Sequence, residues 1–206
     1  MAQTLHELIT FDQFITWYPE NPQQKYELHD GIIITMTPPA GLHEEITGFL
    51  VRKLSVESDR LNLPYIFPKT AFIKPLENES AFSPDILILN QPNLVNEPLW
   101  KKSSTVTQAV SIPLVVEVVS TNWRDDYFIK LARYEEMGIP EYWILDYAAL
   151  GGRRFIGNPK LPTISLYWLV DGEYQLNLFR GSDSIISPTF PEFNLTAQQI
   201  FNAGNI

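Results

Sequence analysis

Two carboxylates stand where a chain rarely tolerates charge. Asp85 opens the run Ser83-Pro84-Asp85-Ile86-Leu87-Ile88-Leu89, and Glu117 interrupts Pro113-Leu114-Val115-Val116-Glu117-Val118-Val119-Ser120. Both runs are short and almost wholly apolar, the pattern of a buried strand. A carboxylate inside such a strand is costly unless it is paired or binds a metal. Two of them on neighbouring strands would offer hard oxygen ligands to Mg2+ or Mn2+, with the carbonyl of Val118 as a further donor. An ion held in this way activates water and neutralises a phosphate, which is what phosphodiester hydrolysis requires.

Such a centre also gains from an ammonium that positions water or stabilises developing charge. Two residues beyond Glu117, on the same strand face, the chain has Val119, which cannot serve. The next helical segment supplies a substitute. Asp126, Lys130 and Tyr134 recur at a spacing of four, so they line one helical face, and a helix packed back over the Glu117 strand would bring Lys130 to the acids. Asp126 would then orient Lys130 from behind. Each residue also has a plainer reading. Asp85 after Pro84 could cap a turn, Glu117 could form a buried ion pair with Lys130, and Tyr134 could simply fill the core. Glu27, in a hairpin, could face solvent or join the site, and His43 could be a base, a ligand or a helix-start residue.

The elements that must position these groups are legible in outline. Thr10 is an N-cap candidate for a helix carrying Phe11, Phe14 and Ile15. The segment from Tyr26 to Met36 reads as a hairpin turning at Asp30-Gly31. From Leu42 to about Asp59, Ile46, Phe49, Leu50, Leu54 and Val56 recur at helical spacing. Short strands follow at Tyr65-Ile66-Phe67 and Thr70-Ala71-Phe72-Ile73, ahead of the two acid-bearing strands. The long connection from Asn90 to Ile112 has room for a short helix near Leu99-Trp100. A helix from Arg124 to Met137 ends at Gly138 and Pro140, and Glu141-Tyr142-Trp143-Ile144-Leu145-Asp146 is the next strand. Strand, helix and strand in succession predict a βαβ crossover, hence a mixed sheet. Beyond Gly151-Gly152 the pattern is β-rich. Thr163 to Val170 and Tyr174 to Phe179 flank a second hairpin turn at Asp171-Gly172, and a short helix capped by Thr196 closes the chain. Tyr142 and Trp143 are expected in the core, with Glu141 solvated or hydrogen-bonded.

With 206 residues, 45% of them hydrophobic, the chain is expected to form one domain over residues 1–206, of α/β class, with a mixed central β-sheet flanked by helices and β-hairpin elaborations. No cysteine is present, which excludes disulfides, thiolate metal sites and cysteine nucleophiles. The opening Met-Ala-Gln-Thr-Leu-His-Glu-Leu lacks the basic and apolar segments of a leader, and no apolar run would span a bilayer, so the expected location is cytoplasmic with no membrane partner. A net charge of −9 argues against broad nucleic-acid binding. It leaves room for a local basic patch drawn from Lys101, Lys102, Arg124, Arg133, Arg153 and Arg154.

Taken together, Glu117-Val118-Val119-Ser120, Asp126-x-x-x-Lys130-x-x-x-Tyr134 and Gly138-Ile139-Pro140-Glu141-Tyr142-Trp143-Ile144-Leu145-Asp146 resemble the Uma-two family of restriction endonucleases, bacterial members of the PD-(D/E)xK nuclease superfamily. The likeness extends to Tyr26-Glu27-Leu28, His43, Ser83-Pro84-Asp85 and Ser187-Pro188-Thr189-Phe190-Pro191, nearly the whole chain. It implies a restriction-endonuclease-like core, with Asp85 and Glu117 as metal ligands, Lys130 as a relocated lysine and Glu27 in or beside the site. The activity implied is a Mg2+- or Mn2+-dependent endonuclease acting on DNA, and related nuclease folds often pair as two-fold dimers, so a homodimer is expected. The apolar, β-rich portion from Leu161 to Phe179 could supply an exposed edge for that contact. The alternative is a nuclease fold without turnover, retained as a binding or structural module.

Overall fold

The computed structural model describes residues 8–18 and 24–203. The first seven residues, where no leader is expected, lie outside that range. Two hairpin turns follow from their dipeptides. Asp30 and Gly31 take φ of 47° and 84°, Asp171 and Gly172 take 52° and 87°, and this left-handed pair suits a two-residue hairpin. The first turn joins β1 (Tyr26–His29) to β2 (Ile32–Thr35), and the second joins β9 (Thr163–Val170) to β10 (Glu173–Phe179).

The central sheet has six strands in the order β10-β9-β8-β7-β5-β3, where β3 is Tyr65–Ile66, β5 Ile86–Asn90, β7 Leu114–Val118 and β8 Glu141–Asp146. The pair β7 and β8 is parallel, and the remaining pairs are antiparallel. The sheet is therefore mixed, as the strand-helix-strand pattern predicts. The strand expected at 70–73 shortens to β4 (Phe72–Ile73) and leaves the central sheet, pairing instead with β6 (Thr105–Val106). The connection between β5 and β7 is far from bare: it contains two 3-10 turns and the short helix α3 (Trp100–Ser103) as well as β6.

Alternation along the strands sorts their side chains onto two faces. Ile86, Ile88, Leu114, Val116, Val118, Trp143 and Leu145 pack with Ile46, Leu50 and Leu54 of α2 (Gly41–Arg60) and with Ala197, Ile200 and Phe201 of α6 (Ala197–Phe201). Leu87, Leu89, Val115, Val119, Tyr142 and Ile144 pack on the other face, beneath Tyr127, Tyr134 and Ile139 of the crossover. Asp85 and Glu117 follow the odd-numbered residues of their runs, so they belong to the crossover face. The apolar stripe of α2 agrees with the sequence except at Val56, which is 62% exposed. A smaller cluster of Phe11, Phe14, Leu28, Phe72 and Ala81 fixes the N-terminal helix α1 (Phe11–Trp17) and the first hairpin. Thr10 and Thr196 both form capping boxes, with Gln13 and Gln199.

Two local departures matter for the site. The segment expected as one α-helix from Arg124 begins as a π-helical stretch, Asp125–Lys130, and becomes α-helical only as α4 (Leu131–Met137). Its wider turn keeps Asp126, Lys130 and Tyr134 on the buried side, and π segments are common where a helix carries functional groups. In the region expected to be β-rich, α5 (Arg153–Ile156) lies just after β8.

Candidate active site

The site forms at one end of the sheet, where β5 begins and the parallel strands β7 and β8 end. Ile86 is opposite Val116, so the antiparallel register carried one residue further sets Asp85 across from Glu117. Val118 N–H donates to Asp85 Oδ2 at 2.8 Å, closing this corner of the ladder with a side chain. His43, near the start of α2, reaches the same corner from the other layer. Its Nε2 donates to the Val118 carbonyl at 3.0 Å and lies 3.3 Å from Asp85 Oδ2. Burial works against a charged His43, but the Asp85 carboxylate outweighs it and raises the imidazole pKa. Asp85, in turn, is held below the usual carboxylate range because His43 and the Val118 N–H overcome its own desolvation.

Lys130 is at the centre of the acids and only 1% exposed. Its Nζ lies 2.9 Å from Glu117 Oε1, 3.1 Å from Glu27 Oε1 and 3.7 Å from Asp126 Oδ1. Tyr134 Oη donates to Glu117 Oε1 at 3.4 Å, so Tyr134 both packs in the core and touches the site. Glu27 arrives from β1 because the first hairpin docks on the chain ahead of Asp85, Leu28 exchanging backbone hydrogen bonds with Ala81. Its carboxylate accepts from Ser83 N–H at 2.9 Å and pairs with His29 Nε2 at 2.9 Å. Thus the solvent-facing reading of Glu27 does not hold: it is wholly buried.

Four acids therefore share one lysine and two histidines, His29 beside Glu27 and His43 beside Asp85, and the acids do not respond alike. Burial would raise Glu27, but Lys130 and His29 hold it down to about 2. Burial pushes Glu117 well up despite Lys130, with Asp85 and Asp126 adding to the rise. It pushes Asp126 up to about 7. Desolvation disfavours the Lys130 ammonium, yet Glu117, Glu27 and Asp126 keep it charged. The cluster holds more carboxylates than cations, and the excess must be balanced by protons or by an added cation.

A small cleft of about 60 Å³ opens onto Asp85, Glu117, Val118, Asp126, Lys130 and His43. Its rim includes Lys25, Ser120 and Asn122, whose place at the site no spacing rule in the sequence indicates. Among the described residues no three His, Cys, Asp or Glu side chains form a ready-made chelate. That does not disqualify Mg2+, which takes one or two carboxylates and keeps several waters. Asp85, Glu117 and the second lone pair of the Val118 carbonyl are the hard oxygen donors that fit it. Of the six cations expected to supply a basic patch, Arg133 is tied to Asp30 and Glu136 at 3.4 and 2.9 Å. Lys101 and Lys102 lie on α3, in the connection between the far ends of β5 and β7. Glu141 is buried and hydrogen-bonded to Trp143, Ser187 and Thr189 on the opposite face. No helix among the described residues is long and apolar enough to cross a membrane.

Comparison with known proteins bears on the fold and the family. No curated protein matches the sequence. The crystal structure of a protein from Anabaena variabilis, described as a "putative nuclease belonging to DUF820", is similar, with a TM-score of 0.72 at 17% identity, over 95% of this chain and 98% of that one. At that identity the likeness shows the fold, including the mixed sheet and its flanking helices. The profile of the Uma2 family, described as "Putative restriction endonuclease", matches residues 11–198. By that match over most of its length, the chain belongs to the Uma2 family.

Proposed function

We propose that the chain is a divalent-metal-dependent endonuclease that hydrolyses phosphodiester bonds in DNA, using the cleft between Asp85 and Glu117. The observation that carries this reading is the excess of carboxylate over cation in a buried cluster that opens to solvent at Asp85. A purely structural ion pair needs one acid per lysine, whereas here Glu27, Glu117 and Asp126 surround Lys130 and Asp85 stands beside them. Asp85 and Glu117 would hold Mg2+ or Mn2+ with the Val118 carbonyl. When bound, that ion supplies an activated water and positive charge against the phosphate oxygens.

The chain's own groups do the rest. His43 and the Val118 N–H fix the Asp85 carboxylate, leaving its other oxygen towards the cleft. Lys130 orients Glu117 through Oε1 and stabilises negative charge that builds up beside it. Asp126, with its carboxyl near 7, is able to take up or return a proton at neutral pH. Glu27 fixes Lys130 from behind and keeps the ammonium charged. The same reading has the enzyme in the cytoplasm and pairs two chains around a duplex, with β10, one of the two edge strands of the sheet, as the contact.

Supercoiled plasmid incubated with the pure protein and Mg2+ or Mn2+ should be nicked or linearised, and chelation should stop it. Asp85→Ala should lower the rate by at least about a hundredfold. No cleavage by the wild type, or equal cleavage by Asp85→Ala, overturns the proposal in favour of a fold kept without turnover.

A further inference from the structure

The chain is acidic overall, with 24 Asp and Glu against 15 Lys and Arg, yet three arginines in the segments that follow β7 and β8 are left without acidic partners among the described residues. Arg124, Arg153 and Arg154 are exposed and form no ion pair among the described residues, in contrast to Arg60 and Arg133. They are not loose. Arg124 stacks on Trp123 with its guanidinium 4.5 Å from the ring centre, and Arg154 stacks on Phe128 and Phe155 at 4.3 and 4.5 Å. The rings themselves form one cluster, with Trp123 6.2 Å from Phe128 and 6.3 Å from Phe155, and Phe128 5.3 Å from Phe155.

This cluster is built at the site's edge by two loops that leave the parallel strands side by side. After β7, Ser120 and Asn122 line the cleft and Trp123 comes next. After β8, Asp146 accepts from Leu150 N–H and Gly151 N–H at 2.8 and 2.7 Å, which turns the chain into α5. Gly152 approaches Trp123 so closely that an added Cβ would lie 3.1 Å from the indole. The carboxyl ends of parallel strands are where open α/β sheets bind ligands.

A guanidinium stacked on an aromatic face keeps its N–H edges free, and its fixed plane suits two-point contact with a phosphate. Holding it in place beforehand lowers the entropy lost on binding. We infer that Arg124 and Arg154, held by Trp123, Phe128 and Phe155, form with the neighbouring Arg153 a clamp for the phosphate backbone of DNA that enters the cleft. The inference rests on the nuclease reading for its ligand. The clamp grips backbone rather than base edges, so it confers affinity and register without sequence preference.

The test is the affinity of the full chain for a short fluorescein-labelled DNA duplex, read by anisotropy in chelator across a salt series. Relative to the wild type, R124A/R153A/R154A should bind at least about tenfold more weakly at low salt, and the slope of log affinity against log salt should shrink by about two to three. R124A alone should shrink it by about one, which covers the case of a triple variant that circular dichroism finds unfolded. K101A/K102A should bind like the wild type. Wild-type failure to bind, arginine variants that bind unchanged, or an equal loss in K101A/K102A overturns the clamp. Plasmid cleavage by the same preparations keeps the two ideas apart: arginine-dependent binding without cleavage rejects the nuclease reading alone, and cleavage with arginine-independent binding rejects the clamp alone.

Discussion

The two faces of the sheet each bury a glutamate within a β-strand, and they do so for different ends. Glu141 opens β8 on the α2 side, where its carboxylate receives Trp143 Nε1–H at 2.6 Å, Ser187 Oγ–H at 3.1 Å and Thr189 N–H at 2.8 Å. Every partner is neutral, and the bonds from Ser187 and Thr189 tie that segment to the sheet. Glu117, on the crossover face, shares a single ammonium with Glu27 and Asp126 and has Asp85 across the ladder. The first arrangement satisfies a buried charge with dipoles and ends there. The second leaves charge over. A buried carboxylate is therefore not itself a sign of chemistry; several of them around too few cations is.

That contrast can be broken or sharpened by measurement. The largest effect should come from Lys130→Met, which strands the acids around it and should cost about 3–5 kcal/mol in urea unfolding. Next is the pH response. Asp126 is at about 7 in the fold against 3.8 for a free carboxyl. Between those values the folded chain keeps a proton that the unfolded chain has lost, so stability falls as pH rises through that window and levels off above it. Glu27, at about 2 against 4.5, works the other way, and its contribution disappears as pH drops from about 4.5 towards 2. In chelator, Asp126→Asn should remove a loss on the order of 3 kcal/mol between the lower and upper ends of the first window. Unfolding curves of the two proteins that stay parallel with pH would refute it.

A smaller effect separates the glutamates by one identical change. Glu141→Gln leaves one of three donors facing an amide NH2 and should cost about 1–3 kcal/mol. Glu117→Gln keeps an oxygen for Lys130 and relieves crowding among the acids, so its stability should lie within about 1 kcal/mol of the wild type, while cleavage is lost. Equal destabilisation by the two would make Glu117 a structural residue like Glu141.

Glu117 is legible in the sequence because a lone charge in an apolar strand must be paired or put to use, and Lys130 because a spacing of four survives even in a π-wound segment. Both hairpins are legible because Asp-Gly turns need only local conformation. Glu27 is ambiguous in sequence, since β1 alternates against a partner strand that leaves either face open, and only docking of Leu28 on Ala81 settles which face is buried. His43 and Ser83 act through contacts to Val118 and Glu27, 75 and 56 residues away, and no local pattern encodes such pairs. The π segment escapes sequence reading because a helical period of apolar residues does not distinguish one winding from another over a single turn. Likewise α5 is too short for periodicity, and the meeting of Arg124 with Arg154 on one aromatic cluster depends on two loops that converge in space.

The central claim is that Asp85 and Glu117 together hold a divalent ion. Anomalous scattering from crystals grown with Mn2+ tests it directly. One strong peak should bridge a carboxylate oxygen of Asp85 and one of Glu117, and it should be absent in Glu117→Gln. A wild-type crystal with no peak there, or with Mn2+ held by other residues, would contradict the claim.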